Sequence, residues 1–304
     1  MKKVIIGSRG SKLALMYAEK AKEFLLKFNN ISSDDIEIKK ILTKGDQIKD
    51  QRLSEVGGKG LFSKNIEQEL LEKKIDIAVH ALKDMPALET DGLQTNCFLK
   101  RNDPREVIIS RDGKNIKEIK TGALIGTSSF RREFQINKLR KDLKTKLIRG
   151  NVDTRIQKLN DGLYDAIILS LAGLSFLNLE NKVSQIFSTD EIIPSAGQGI
   201  IALQCRSDDN HIKSLLEKIN DKETAVRAIS ERNVLKVLEG DCETAVGVHS
   251  KLEDERIILQ AELFSLDGLQ KFYESGSSDI KNSAELGFEI GKKLKLKSGN
   301  SYKK

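Results

Sequence analysis

Apolar runs of strand length alternate with amphipathic runs of helix length over the first two thirds of the chain. The run "KKVIIGSRG" (2–10) predicts a strand and a turn, and "SKLALMYAEKAKEFLLKF" (11–28) repeats its apolar residues at helical spacing. A strand, a helix and a strand follow in "DIEIKKIL" (35–42), "GLFSKNIEQELLEKK" (60–74) and "IDIAVHAL" (75–82). This alternation predicts an α/β architecture with mostly parallel sheets.

The same order of elements starts again after "RNDPREV". It runs through "ALIGTSS" (123–129), "FRREFQINKLR" (130–140), "KLIRG" (146–150), "DTRIQKLNDG" (153–162) and "YDAIILSLA" (164–172). "VIIGSRGSKLAL" resembles "LIGTSSFRREFQI", and "KKIDIAVHALKD" resembles "GLYDAIILSLAG". We therefore expect two similar α/β domains that face one another across a cleft, each with a helix N-terminus directed into it.

The chain is expected to cross between these domains twice, at 101–107 and again at "IIPSAGQG" (192–199), where prolines and glycines interrupt the regular pattern. After the second crossing, "IIALQCR" (200–206) predicts a strand that returns to the first domain. The expected limits are residues 1–99 with 199–218 for the first domain, 100–198 for the second and 219–304 for the third.

The last third of the chain changes pattern and predicts a small α+β domain. "DKETAVRAISERNVLKVLEG" predicts a helix that ends at Gly240. "ERIILQAELFSLDGLQKFYES" predicts a hairpin that turns at Asp267 and Gly268. "IKNSAELGFEIGKKLKL" predicts a last helix, and the tail "KSGNSYKK" (297–304) is expected to fray.

The charge of the chain points to an anionic partner. The 304 residues carry a formal net charge of +7, which suits nucleic acid, phosphate or a polycarboxylate. Aromatic residues make up only 5% and tryptophan is absent, so platforms for base stacking are few. Three cysteines without CxxC spacing, and no stretch of membrane-spanning length, lead us to expect a cytoplasmic protein with no metal site, nucleic acid or membrane partner.

The stretch "GTSSFRREF" places two arginines in the first turn of a predicted helix that Ser129 caps. Cations are disfavoured there, because the free N–H groups already carry partial positive charge. Either an anion lies between Arg131 and Arg132, or both side chains are solvated; the placement favours the anion.

Further arginines follow other predicted strands, at the edge where ligands bind in open α/β sheets. Arg9 follows the first strand, and Arg149 ends the predicted strand "KLIRG", with Arg155 in the helix after it. The planar fork of arginine makes paired hydrogen bonds to carboxylates and phosphates. Several arginines at equivalent positions predict a cleft for a polyanion.

The segment "HALKDMP" (80–86) brings an acid to the same basic edge. Asp84 is a candidate for general acid/base work or for stabilising a developing cation. It is equally well explained as a turn residue, since "KDMP" has the chemistry of a turn. His80, inside an apolar run, is expected to be a core histidine.

The three cysteines differ in their surroundings. Cys97 and Cys205 lie in apolar, strand-like runs and are expected to be core residues. Cys242 lies in "LEGDCETAVG", after a helix end, where an accessible thiol is a candidate nucleophile or attachment point. Its acidic neighbours oppose thiolate formation, so the residues alone favour an inert thiol.

Eight segments together resemble the porphobilinogen deaminase (hydroxymethylbilane synthase) family. They are, in family order, "GSRGSKLAL", "GGKGLFSK", "DIAVHALKDMP", "GTSSFRR", "IRGNVDTR", "YDAIILSLAGL", "AGQG" and "LEGDC". The resemblance runs from Val4 to about Gly247 and, more loosely, to the C-terminal domain.

The resemblance implies a transferase of tetrapyrrole and heme biosynthesis. It would join four porphobilinogen molecules head to tail into hydroxymethylbilane, releasing ammonia at each addition. It would do so as a monomer, with two domains of the periplasmic-binding-protein kind and a covalent dipyrromethane primer on Cys242. Asp84 would be the catalytic carboxylate that balances an azafulvene-type cation. The carboxylates of primer and substrate would be held by Arg9, Ser11, Lys83, Ser129, Arg131, Arg132, Arg149 and Arg155.

The sequence also departs from the family pattern at several positions. Phe176 stands where the family usually has a basic residue, Ala81 where a serine is common and Glu55 where a lysine is common. Asp241 and Glu243 flank the cysteine in a loop that usually reads Gly-Gly-Cys. These changes remove positive charge and donors from a site for carboxylates. The alternative function is a hinged two-domain binding protein for a small anion, which the pairing of Asp84 with Cys242 disfavours.

Overall fold

The computed structural model describes residues 3–48, 60–240 and 244–303, and these residues form three β-sheets covered by helices. The strands are β1 Val4–Arg9, β2 Ile36–Ile41, β3 Ile77–Ala81, β4 Leu93–Phe98, β5 Glu106–Ser110, β6 Leu124–Gly126, β7 Lys144–Lys146, β8 Ala166–Ser170, β9 Gln185–Ile186, β10 Ile201–Arg206, β11 Val246–Glu253, β12 Arg256–Phe264 and β13 Lys271–Asp279. The α-helices are α1 Lys12–Asn29, α2 Lys44–Gln47, α3 Lys64–Leu71, α4 Phe130–Leu139, α5 Val152–Asn160, α6 Leu171–Phe176, α7 Asn210–Glu217, α8 Lys222–Leu238 and α9 Ser283–Ser298.

Two of the sheets have the same design, as the internal likeness of the sequence predicts. The first has the order β2-β1-β3-β10-β4 and the second the order β7-β6-β8-β5-β9. In each, three neighbouring strands are parallel and the last two run antiparallel to their neighbours. Four of the five strands in each sheet therefore point the same way, and β10 in the first sheet and β5 in the second run against the rest. The expectation of mostly parallel sheets is confirmed. The α/β class and the pair of similar domains are confirmed.

The exchange of one strand between domains explains the antiparallel pairs. β5 follows the first crossing, and β10 returns to the first sheet after the second crossing, as predicted. The two crossings touch at Gly199, whose carbonyl accepts hydrogen bonds from the backbone N–H and side chain of Asn102. Gly199 has a φ of +82°, and a Cβ there would lie 2.4 Å from the Asn102 carbonyl oxygen. Only glycine allows the crossings to approach this closely.

The C-terminal domain is a three-stranded antiparallel sheet, β11-β12-β13, packed on α8 and α9. The predicted hairpin is confirmed between β12 and β13, and Gly268 has a φ of +71° in the turn. The predicted helix ends earlier than Gly240, because Glu239 adopts the left-handed conformation at the end of α8.

The C-terminal tail is packed, so the expectation of fraying is wrong. Tyr302 is 2% exposed and donates its hydroxyl to the Leu238 carbonyl at 3.3 Å. Lys303 and Lys295 both pair with Glu239 at 3.2 Å. The tail therefore holds the end of α8.

The C-terminal domain is attached to both crossings through one buried carboxylate. Glu231 in α8 is fully buried and pairs with Arg101 of the first crossing at 2.6 Å. It also accepts hydrogen bonds from the N–H of Gly197 in the second crossing and from Ser250 in β11. Removal of this carboxylate would leave a buried arginine unpaired, which is costly.

The strand predicted at "KLIRG" is misplaced. The structure has β7 at Lys144–Lys146, so Arg149 lies three residues beyond the strand and not at its end.

Among the described residues, no helix is long and apolar enough to cross a membrane. The predicted domain limits at residues 99, 198 and 218 stay a prediction.

Candidate active site

A cavity of about 1100 Å³ lies between the two α/β domains, and the C-terminal domain contributes to its wall. All nine described residues that the sequence nominated line it: Arg9, Ser11, Lys83, Asp84, Ser129, Arg131, Arg132, Arg149 and Arg155. Counting all described residues on the wall, nine are lysine or arginine and three are aspartate. The structure therefore brings the nominated residues together in a basic cleft.

Ser11 and Ser129 are the N-caps of the two helices that point at the cleft. Ser11 accepts a hydrogen bond from the N–H of Ala14 at 3.3 Å, and Ser129 accepts one from the N–H of Arg132 at 3.5 Å. Each hydroxyl keeps its own proton as a donor. The predicted cap at Ser129 is confirmed, and both helix N-termini add partial positive charge to the cleft.

Arg9, the last residue of β1, is fixed by a carboxylate. Its Nε and Nη2 donate to the two oxygens of Asp46, which also accepts a bond of 2.7 Å from Thr43. Its guanidinium carbon lies 3.9 Å from the centre of the Phe62 ring. Burial opposes ionisation of Asp46, but Arg9 and Thr43 outweigh it and hold the pKa of the carboxyl below its usual value.

Asp84 ends a 3₁₀ turn that follows β3, and its side chain is 36% exposed. The remaining Nη1 of Arg9 lies 3.9 Å from its Oδ2, at the limit of an ion pair. Since Arg9 is already matched by Asp46, the charge of Asp84 is only weakly compensated. Such a carboxylate is available to a positive charge in the cleft.

Arg131 and Arg132 share an anion that the protein itself supplies. Glu106, the first residue of β5, is fully buried, and its two oxygens accept from Arg131 at 2.6 Å and from Arg132 at 2.8 Å. Although burial opposes ionisation, the two arginines lower the pKa of Glu106 to about 2. The predicted anion between the arginines is therefore real, but it is a side chain of the chain.

The pair still offers donors to the cleft. Arg131 donates to the Ile193 carbonyl and Arg132 to the Ile168 carbonyl, which fixes both guanidinium groups. Nε of Arg132 is buried and has no hydrogen-bond partner within the described chain. A buried unpaired donor is costly, so this atom favours an incoming acceptor.

Lys83 reaches across the cleft from the first domain. Its ammonium donates to Gln198 at 3.1 Å and to Ser170 of the second domain at 3.5 Å. Burial, followed by the positive charge of Arg132, lowers the pKa of Lys83 to about 8. Lys83 is therefore charged at neutral pH but close to its titration.

Arg149 and Arg155 flank the start of α5. Arg149 donates to the Ile48 carbonyl at 3.3 Å, and Arg155 donates from Nε to the Gly150 carbonyl at 2.8 Å. Burial, and then the charges of Arg132 and Arg149, lower the pKa of Arg155 to about 10. The crowding of like charges indicates a place prepared for anions.

The cysteine assignments divide between described and undescribed residues. Cys97 and Cys205 are buried, as predicted. Cys242, with Asp241 and Glu243, lies outside the described residues, as does Glu55. Gly240 and Thr244, which flank residues 241–243, line the cavity.

His80 is a core histidine, as predicted. Its Nε2 lies 3.2 Å from Oε1 of Gln204, and burial lowers its pKa to about 4. Within residues 3–48, 60–240 and 244–303, no cluster of three or more histidine, cysteine or acidic side chains could hold a metal ion.

Sequence reasoning missed Glu106, Asp46 and Gln198. Each acts on a nominated residue: Glu106 on the arginine pair, Asp46 on Arg9 and Gln198 on Lys83. An acidic residue at the start of a buried strand indicates a buried cationic partner, and Glu106 in "RNDPREV" is such a residue.

Comparison with protein families gives two matches that together cover most of the chain. Residues 4–214 match the model described as "Porphobilinogen deaminase, dipyromethane cofactor binding domain". Residues 225–296 match the model of the porphobilinogen deaminase C-terminal domain.

Curated relatives called porphobilinogen deaminase match nearly the full length. The one from Nitrobacter hamburgensis is 39% identical over 297 residues, covering 98% of this chain and 94% of its own. That from Brevibacillus brevis is 42% identical over 290 residues, covering 95% and 93%. That from Bacillus cereus strain B4264 is 43% identical over 305 residues, covering 98% and 96%.

Some solved structures are only distantly similar. The periplasmic VFT2 domain of Bordetella pertussis BvgS matches with a TM-score of 0.44 and 14% identity over 75% of this chain and 91% of that one. The family models and the curated relatives decide the matter, and the chain belongs to the porphobilinogen deaminase family.

Proposed function

We propose that the basic cleft is the active site in which this chain joins porphobilinogen molecules. The activity is that of the family: a transferase polymerises four porphobilinogen molecules head to tail into hydroxymethylbilane, with release of ammonia, from a dipyrromethane primer. The observation that carries the assignment to this cleft is that one cavity collects nine basic side chains around the weakly compensated Asp84.

The size of the cavity suits a chain of pyrroles. Pockets for single small molecules measure roughly 300–1,000 Å³. At about 1100 Å³, the cleft exceeds that range. Each pyrrole unit carries an acetate and a propionate, so a growing chain needs many cationic donors spread over a long wall, as found here.

The donor set fits the primer. A dipyrromethane bears four carboxylates, and the buried unpaired Nε of Arg132 lies among Arg131, Arg149 and Arg155 on the cavity wall. Attachment to Cys242 is supported by the position of Gly240 and Thr244, each two residues from the cysteine, on the cavity wall. When bound, the primer supplies the pyrrole carbon to which the first substrate is joined.

Asp84 is the residue to which we assign the chemistry. Loss of ammonia from the aminomethyl group of porphobilinogen leaves a cation spread over the methylene and the pyrrole nitrogen. In a cleft of arginines this cation would be repelled, whereas a carboxylate stabilises it in the transition state. Asp46 holds Arg9 and so prevents it from neutralising Asp84. Asp84 also accepts the pyrrole proton during coupling.

Arg149→Leu is expected to keep the fold but to impair primer assembly or chain elongation. Arg149 is only half-buried and lines the cleft, where a charge-assisted contact to a carboxylate contributes roughly 1.5–3 kcal/mol. The measurement is the turnover of porphobilinogen together with the intact mass of the purified protein.

The matched control is Arg256→Leu, because Arg256 is exposed on β12 and lies away from the cavity. A folded Arg149→Leu protein with full loading and wild-type turnover would contradict the role. Arg131→Leu is a poorer test, because it would leave Glu106 half-paired and destabilise the fold.

The KM for porphobilinogen is expected to rise as the pH passes about 8. The pKa of Lys83 is lowered to about 8, so its positive charge is present below about pH 8 and is lost above it. Its binding of carboxylates therefore weakens as the pH rises. Lys83→Arg keeps its charge over this range and should abolish that step in the profile. An unchanged profile in Lys83→Arg would show that another group titrates.

The proposed function is tested by intact mass under denaturing conditions and by product analysis. A chain expressed with porphobilinogen available should carry an adduct of two pyrrole units and should form hydroxymethylbilane. A bare chain that binds small carboxylates without turnover would support the hinged binding protein instead.

We further propose that the protein acts as a monomer in the cytoplasm, without a nucleic-acid or membrane partner. The nominated arginines line the cleft, and Arg101 and Arg206 pair with buried acids, which supports the absence of a nucleic-acid surface. Light scattering of the loaded protein at micromolar concentration tests the monomer.

A further inference from the structure

A second, much smaller cavity adjoins the cleft at Asp84. It measures about 50 Å³ and shares part of its wall with the cleft, namely Arg9, Ser11, Leu13, Phe62 and Asp84. Among the described residues, five more line the small cavity but not the cleft: Ala14, Tyr17, Val79, His80 and Ala81. Asp84 therefore borders both spaces.

The small cavity has room for a molecule the size of water or ammonia and none for a pyrrole. One water needs about 10–15 Å³ of such space, whereas pockets for ring compounds begin at roughly 300 Å³. A space of this size that touches the catalytic carboxylate suits the small product of the reaction.

The lining is polar on one side and suits a small nitrogen compound. Burial, followed by the charge of Asp84, raises the pKa of Tyr17, so its hydroxyl stays protonated close to the carboxylate. His80 is neutral, because burial lowers its pKa to about 4. The charge of Arg9 is matched by Asp46, which leaves the negative charge of Asp84 to attract a small cation.

Tyr17 is held in place from the other domain. The rings of Tyr17 in α1 and Phe176 in α6 meet edge to face, with centroids 4.8 Å apart and planes at 80°. Such aromatic pairs stabilise a structure by more than the burial of their apolar area alone. Phe176 thus fixes the part of the small cavity's wall that Tyr17 forms.

We propose that the small cavity between Tyr17, His80 and Asp84 is the subsite that receives the ammonia released at each addition. The proposal rests on the function proposed above, since that reaction supplies the ammonia. Residence beside Asp84 would separate the leaving group from the cation and delay its return.

The step balances in atoms and charge. The C–N bond of the protonated aminomethyl group breaks, and its electron pair leaves with neutral ammonia while the positive charge stays on the pyrrole methylene. The α-carbon of the acceptor pyrrole then forms the new C–C bond and loses its proton. Asp84 takes up that proton and passes it to ammonia, which leaves as ammonium.

The direct test uses rubidium, a cation close to ammonium in size, as an anomalous scatterer. Crystals of the primer-loaded protein soaked in rubidium chloride should show a peak in the small cavity that ammonium chloride displaces. Ala81→Val should abolish the peak, because its added methyl groups fill the space. Ala81→Ser, the matched control, adds one atom and should keep it.

Kinetics give a second readout. Ammonium, compared with sodium at equal ionic strength, should inhibit the wild type, and Tyr17→Phe should weaken that inhibition about tenfold, as for one charge-assisted hydrogen bond. KM for porphobilinogen should change little, since Tyr17 is not among the described residues lining the cleft.

Absence of a peak, a peak that ammonium leaves in place, or a peak that survives Ala81→Val would overturn the subsite. If the loaded wild type forms no hydroxymethylbilane, the proposed function fails, and with it the assignment of the cavity to ammonia. The two failures are distinguishable, because the rubidium peak is measured without turnover.

Discussion

Cys242→Ser is expected to abolish the covalent primer and, with it, nearly all turnover. A thioether requires a thiolate nucleophile, and the serine hydroxyl ionises too weakly to replace it. The measurement is the intact mass of the denatured protein, which should fall to that of the bare chain.

The two remaining cysteines are matched controls. Cys97 and Cys205 are buried, and burial raises the pKa of both thiols. Cys97 donates from Sγ to the Leu216 carbonyl at 3.3 Å, a bond that serine can also make. Cys97→Ser and Cys205→Ser should therefore keep the adduct. An adduct mapped to either residue would refute the assignment to Cys242.

The elements that carry the site were predictable because their signals are local. The cap at Ser129 and the helix after it follow from a hydroxyl residue before apolar residues at helical spacing. Arg9 at the end of β1 follows from an apolar run ending in a turn. The likeness of the two halves was visible as similar sequence segments in the same order, and the strands of the two sheets are arranged in equivalent order.

The reversed direction of β10 and β5 was not predictable, because both strands are buried along their whole length, a pattern typical of parallel strands. The misplaced strand has a similar cause. Ile148 is buried and packs with Tyr164 in the core, so it looks like a strand residue although the pairing ends at Lys146. Burial alone leaves the hydrogen-bonding partner undetermined.

Long-range pairing explains what the sequence could not show at the site. Glu106 lies 25 residues before Arg131, and its role depends on β5 joining the second sheet. An internal acid changes the chemistry of the arginine pair, since the two arginines and Glu106 carry one net positive charge between them. The sequence alone suggests two.

Asp84→Asn is expected to lower turnover by about two to four orders of magnitude, the range for a positioned acid/base group. Asparagine keeps the shape of the side chain but neither its charge nor its acidity, so the cation formed as ammonia leaves would lose its carboxylate partner in a cleft whose charges are mostly positive. Asp84→Glu keeps both properties one methylene further out and should retain measurable activity. The side chain is 36% exposed, so both variants should fold.

The measurement is the release of ammonia in a single turnover by purified, primer-loaded protein, which separates the chemistry from loading. Asp153→Asn is the matched control, because Asp153 also lines the cleft but is exposed at the start of α5. If charge anywhere on the wall sufficed, the two variants would lose similar activity. Wild-type rates for Asp84→Asn would make Asp84 a turn residue and assign the proton transfer to another acid. A large loss in Asp84→Asn alone identifies the carboxylate beside Arg9 as the group that stabilises the cation.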